Sequence, residues 1–262
     1  MKRLLLLLSV FLTVSFEAGI DPSKDFRNLG SAKNLSGSTY VLIIFVSQED
    51  GAEWTQEEVS GVYDRIFEAF SWIKEQDRRF GVKTDFSLFV LGDKRKISID
   101  YFPSGPFDGD LSNGMIKTAM SAAGYTSDFD FLGYAKNKTG CDNCIVYVCC
   151  NSRGRSYALS QNRTLFHYNL KFGYNPVMLE GCVLFRDCMP AVIAHETLHL
   201  FGAVDLYDVY GDKKTNSKAR RCFPNSVMHR VDGSFGCLEI DSLTAFLTGL
   251  TNKYQKHYEE FF

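Results

Sequence analysis

The chain has 262 residues, 45% of them hydrophobic and 23% charged, with a formal net charge of −2. That length supports one sizeable domain with its own core. A near-neutral balance without a long basic run excludes nucleic acid, whose phosphates need a concentrated positive field, and it excludes a polybasic membrane patch.

Lys2 and Arg3 precede an apolar run from Leu4 to Val14. The run is too short to span a bilayer and suits the core of an export signal. Residues 1–19 are therefore expected to be a signal peptide and the protein to be secreted, although Phe16 and Glu17 stand where small residues are preferred near a cleavage site. Residues 20–37 are polar and rich in Gly, Ser and Asn, and read as a leader or linker, which starts the folded domain at residue 38. The sequons at Asn34, Asn137 and Asn162 bear sugar only in a host that glycosylates secreted proteins.

Residues 38–47, STYVLIIFVS, predict a buried strand. Thr55 and Glu58 form a capping-box signature, and Val59, Val62, Tyr63, Ile66, Phe67, Phe70 and Ile73 then recur at helical spacing until Gly81. Residues 85–92 predict a second strand, so strand, helix and strand form a crossover unit of an α/β sheet. The alternation in KISIDYF, residues 96–102, suggests another strand, and residues 110–136 two short helices split at Gly124. Residues 144–150 read as a buried strand, 155–160 as an edge strand and 182–185 as a short strand. Residues 206–236 look irregular, and Leu238, Ile240, Leu243, Phe246, Leu247 and Leu250 mark a closing helix.

Eight cysteines in an exported chain suggest disulfides. Proximity favours Cys182 with Cys188 and Cys222 with Cys237. The rival reading of Cys141 and Cys144, in CDNC, is half of a second zinc site.

The chemistry lies in AVIAHETLHLFGAVDLYD, residues 191–208. His195 and His199 are four apart, which on a helix puts them about 40° apart around the axis and one turn above each other. Two imidazoles so placed can share one metal ion, and Glu196 projects beside them, placed to hold a metal-bound water. A plain core helix would have to satisfy these buried polar groups in some other way. Gly202 permits a positive φ that ends the helix and turns the chain back, and three residues later Asp205 supplies a carboxylate for a third ligand.

The full string, His-Glu-x-x-His-x-x-Gly-x-x-Asp, resembles the extended motif of the metzincin zinc peptidases, with aspartate in place of the last histidine. Met228, in NSVMHR, matches the methionine that this group carries in a tight turn beneath its metal. The specific resemblance covers residues 182–250. It implies a zincin-like α/β (α+β) fold: a mixed twisted sheet with long helices, an active-site helix, and a smaller irregular C-terminal subdomain ending in a helix. Residues 38–262 would form the catalytic domain, with 38–202 as the upper and 203–262 as the lower subdomain. One catalytic zinc would be held by His195, His199 and Asp205, with Glu196 as general base and acid and with Gly202 and Met228 as structural support. The implied partner is a protein or peptide substrate. A monomer is expected, without membrane contact beyond the signal should that stay uncleaved.

The chain departs from the best-known patterns in two places. Asp205 replaces a histidine, and Arg230 stands where some branches carry a tyrosine that assists the transition state, which leaves Tyr207 or Tyr210 to approach from the motif loop. No cysteine precedes Cys141, so a leader-borne latency contact would fall to Asp21 or Asp25. Three alternatives stay open: a site completed by the distant Glu239, a secreted binding protein on a catalytically silent scaffold, and a buried structural zinc with no open position.

Overall fold

A computed structural model describes residues 30–49, 51–100, 114–159, 179–207, 212–231 and 234–261. The signal segment, Asp21, Asp25, Asn162 and Tyr210 lie outside these residues.

The described residues form a mixed α/β fold. Strand β1 (Gly37–Gln48) is parallel to β2 (Thr84–Leu91), to the two-residue β3 (Ser98–Ile99) and to β4 (Asn143–Cys150). Strand β4 is parallel to β6 (Gly181–Phe185), and β5 (Tyr157–Leu159) pairs antiparallel with β6 at the sheet edge. The order is β2-β1-β4-β6-β5, with β3 off this path beside β1.

The central strands are apolar on both faces because both faces are covered. Val41, Ile43 and Phe45 of β1, with Ile145 and Tyr147 of β4, face one core, while Leu42, Ile44 and Val46, with Val146 and Val148, face the other. The first core is closed by helices α1 (Gln56–Arg78) and α4 (Pro190–Leu200), the second by α2 (Gly114–Ala122) and α3 (Asp128–Thr139). Gly124, at φ +99°, separates the last two. The C-terminal part adds α5 (Lys213–Cys222) and α6 (Ser242–Leu247), which join the first core through Ala219, Leu243, Phe246 and Leu247.

Helix α1 starts as its sequence predicts. The Glu58 amide donates to Thr55 Oγ1 at 3.2 Å, and the Thr55 amide donates to Glu58 Oε2 at 3.0 Å. Val59, Val62, Ile66, Phe70 and Ile73 are buried, but Phe67 is 55% exposed, because it lies off the narrow stripe that meets the sheet.

Four expectations are corrected. Residues 31–36, read as linker, are built into the domain: Leu35 is fully buried, its amide donates to the Thr248 carbonyl at 2.7 Å, and the Ala32 amide donates to the buried Glu180 carboxylate at 2.7 Å. The stretch read as irregular contains α5, whose polar sequence has no apolar stripe and buries only Ala219. The closing helix is one six-residue segment. Finally, neither pairing favoured by proximity, Cys182 with Cys188 or Cys222 with Cys237, is made. Cys182 and Cys188 pack in the first core as small apolar side chains, and Cys222 and Cys237 are exposed on separate elements.

Candidate metal centre

Helix α4 carries the motif. It begins at Pro190, whose missing amide hydrogen costs nothing at a helix start, and its apolar sequence buries it on nearly every side. Its end is a Schellman turn. Gly202, at φ +97°, lets its own amide donate to the His199 carbonyl at 2.9 Å, and the Ala203 amide donates to the Leu198 carbonyl at 3.1 Å. A side chain at 202 would be strained at that φ, and its Cβ would meet the Leu247 carbonyl oxygen at 3.3 Å. The turn has a chemical consequence: it brings the Ala203 carbonyl back under His199, and Asp205 opposite both histidines.

Each histidine is oriented from behind. His195 Nδ1 lies 3.0 Å from the Val227 carbonyl oxygen and His199 Nδ1 lies 2.8 Å from that of Ala203. A carbonyl oxygen only accepts, so both Nδ1 atoms carry hydrogen and both Nε2 atoms present lone pairs when the rings are neutral. Those Nε2 atoms are 3.0 Å apart, and Asp205 Oδ1 is 3.2 Å from each. Three donor atoms thus form a nearly equilateral triangle. Lone pairs facing one another at this distance repel unless a cation lies among them. A tetrahedral ion with ligands at about 2.1 Å holds them about 3.4 Å apart, so the three donors fit one metal after a shift of a few tenths of an ångström.

The charges agree. Burial would raise the Asp205 carboxyl, but the two imidazoles hold it well below the usual carboxylate range. Burial pulls His199 down, yet the Asp205 carboxylate more than offsets this and pushes it up to about 9. Glu196 is buried beside the triangle, in one cluster of ligand atoms with His195 and His199. Its burial raises its pKa, and the nearby imidazoles lower it part of the way back.

Met228 is fully buried in the turn whose Val227 carbonyl meets His195 Nδ1. Its carbonyl accepts from the Leu206 amide at 2.9 Å, joining this turn to the Asp205 loop. The turn is fixed by a group that sequence reading missed. Asp241, the N-cap of α6, accepts from the Ser226 hydroxyl at 2.5 Å, and Ser226 Oγ accepts from the Met228 amide at 3.1 Å. The signal was an Asp before an apolar helix, but its link to the Met228 turn is tertiary.

Glu239 does not join the cluster. Its carboxylate pairs with Arg79 at 2.8 Å, and its backbone supports the turn by accepting from the Val227 amide at 3.0 Å. Tyr207 does approach: its ring lies 25° from parallel to His195 at 6.2 Å, and its hydroxyl accepts from Arg155 at 3.1 Å. Arg155 stands just before β5, so this pair bridges the edge strand and the loop that carries Asp205. Among the described residues no further group of three ligating side chains occurs, so Cys141 and Cys144 lack partners for a second metal.

No family model matches the chain, and no curated protein matches it significantly.

Proposed function

We propose that the protein is a secreted endopeptidase with one catalytic zinc, held by His195, His199 and Asp205, and that its fold is zincin-like. The observation that carries this reading is the triangle of inward donors, with both Nδ1 atoms tied to carbonyls and a buried glutamate beside it. When bound, zinc supplies a Lewis acid that polarises a peptide carbonyl and acidifies a water molecule.

Glu196 takes the proton of the attacking water and delivers it to the leaving amine. Its burial supports this role, because the raised pKa makes the carboxylate a stronger base toward the proton of the water. Arg155 donates to Tyr207 Oη, which leaves the phenolic hydrogen free to point at the oxyanion that forms on the substrate. Strand β5, at the sheet edge, offers backbone groups for an extended substrate to pair with.

The test is cleavage of an unfolded protein by the purified secreted chain, with and without a chelator and beside Glu196→Ala. Activity is expected only in the untreated wild type, while Glu196→Ala keeps one zinc per chain. Cleavage that survives both treatments would overturn the assignment. Tyr207→Phe is expected to lower kcat by about 10²-fold with KM nearly unchanged, since the bond it removes forms only as charge develops. Steady-state kinetics check this, and an equal loss in KM would assign Tyr207 to substrate binding instead.

A further inference from the structure

We propose that Cys141 and Cys144 are a disulfide-forming pair that closes the cradle holding residues 31–38. Their Sγ atoms lie 3.3 Å apart, closer than van der Waals contact between two sulfurs. Both side chains are buried, Cys141 at 7% and Cys144 at 0% exposure, in the core between α2, α3 and the sheet. Helix α3 ends at Gly140 in the left-handed conformation, and β4 begins at Asn143, so the two cysteines flank the link between helix and strand.

That link grips the start of the domain. The Cys144 amide donates to the Ser31 carbonyl at 2.9 Å. Asn143 accepts from the Lys33 amide at 2.9 Å and donates to the carbonyls of Asn34 and Ser36 at 2.9 and 3.2 Å. Asp142 accepts from the Ser38 amide at 2.8 Å. A bond between Cys141 and Cys144 fixes the turn from which all these groups project.

The chemistry is thiol–disulfide exchange with a small-molecule or protein disulfide, the oxidant class of an export compartment. One cysteine thiolate attacks a sulfur of the oxidant and releases one thiol. The second cysteine then displaces the other thiol. The pair loses two hydrogens and two electrons, and the oxidant gains them. Burial holds the Cys144 thiol well above the usual range and keeps reagents away, so the exchange occurs while the chain folds.

The experiment uses the full chain secreted by eukaryotic cells, denatured in iodoacetamide without reductant, then digested and weighed. The expected result is a peptide carrying unalkylated Cys141 and Cys144, two hydrogens lighter than the dithiol, with the other cysteines alkylated. Alkylation of both would overturn the proposal. So would a second zinc per chain that disappears in Cys141→Ser, because the pair would then be half of a metal site. The cradle role has a readout that needs no variant. Reduction with a phosphine is expected to speed amide exchange at Lys33, Leu35 and Cys144 about tenfold, with α4 unchanged. Equal exchange before and after reduction would refute it.

Discussion

Asp205→Ala is expected to remove the metal and the peptidase activity together. The two histidines alone leave the metal with two protein ligands, and the site loses the carboxylate charge that draws a cation to the triangle. Loss of groups that merely support a ligand already costs 10–100-fold in metal affinity, so loss of a ligand itself is expected to cost on the order of 10³-fold or more. The comparison is Glu239→Ala. Its carboxylate is engaged with Arg79 in a half-exposed ion pair, so the change is expected to leave one zinc per chain and to cost at most about 1 kcal/mol of stability. Metal counting on both variants after dialysis, beside their cleavage rates, decides the matter. Full zinc and activity in Asp205→Ala would show that the third ligand lies elsewhere. Zinc lost from Glu239→Ala alone would restore the distant glutamate.

The parts legible in the sequence were those governed by local rules. The capping box of α1, the apolar runs of β1 and β4, the break at Gly124 and the stop at Gly202 each follow from a few neighbouring residues. His195, Glu196, His199 and Asp205 belong to the same class, because a helix and a glycine turn suffice to bring them together. What stayed hidden depends on residues far apart in the chain. The carbonyl behind His195 comes from Val227, and the support of that turn from Asp241. Residues 31–36 looked like linker because they are polar, yet their backbone groups are taken up by Asn143, Cys144, Glu180 and Thr248. The cysteines misled for a related reason. Spacing favoured Cys182 with Cys188, but the strand turns Cys182 into the core, and the close approach occurs instead across the α3–β4 link.

Asp77 is expected to make the protein more stable in mild acid than at neutral pH, and Asp77→Asn to remove that dependence. The residue lies near the end of α1, fully buried, and neither carboxyl oxygen has a hydrogen-bond partner among the described residues. The nearby Thr84 hydroxyl donates to the Leu35 carbonyl at 3.2 Å, so it relieves Asp77 only in part. Burial pushes the Asp77 pKa from 3.8 up to about 7, with Thr84 and Lys74 lowering it only in part. A carboxyl whose folded pKa is raised binds a proton in the native state before it does so in the unfolded chain. Its contribution is therefore fully present below about pH 4, falls as pH rises toward 7, and is flat above that. The three-unit gap corresponds to an upper bound of about 4 kcal/mol, and relaxation around the side chain reduces the observed effect to about 2–3 kcal/mol. Asparagine keeps the shape and cannot ionise, so Asp77→Asn is expected to be more stable than wild type at pH 8 by about that amount. At pH 4 the two are expected to be equal within about 0.5 kcal/mol. Urea unfolding of both proteins across this range, read as their difference, isolates Asp77 from the other carboxylates. A difference that stays constant with pH would mean that Asp77 titrates alike in the folded and unfolded chains.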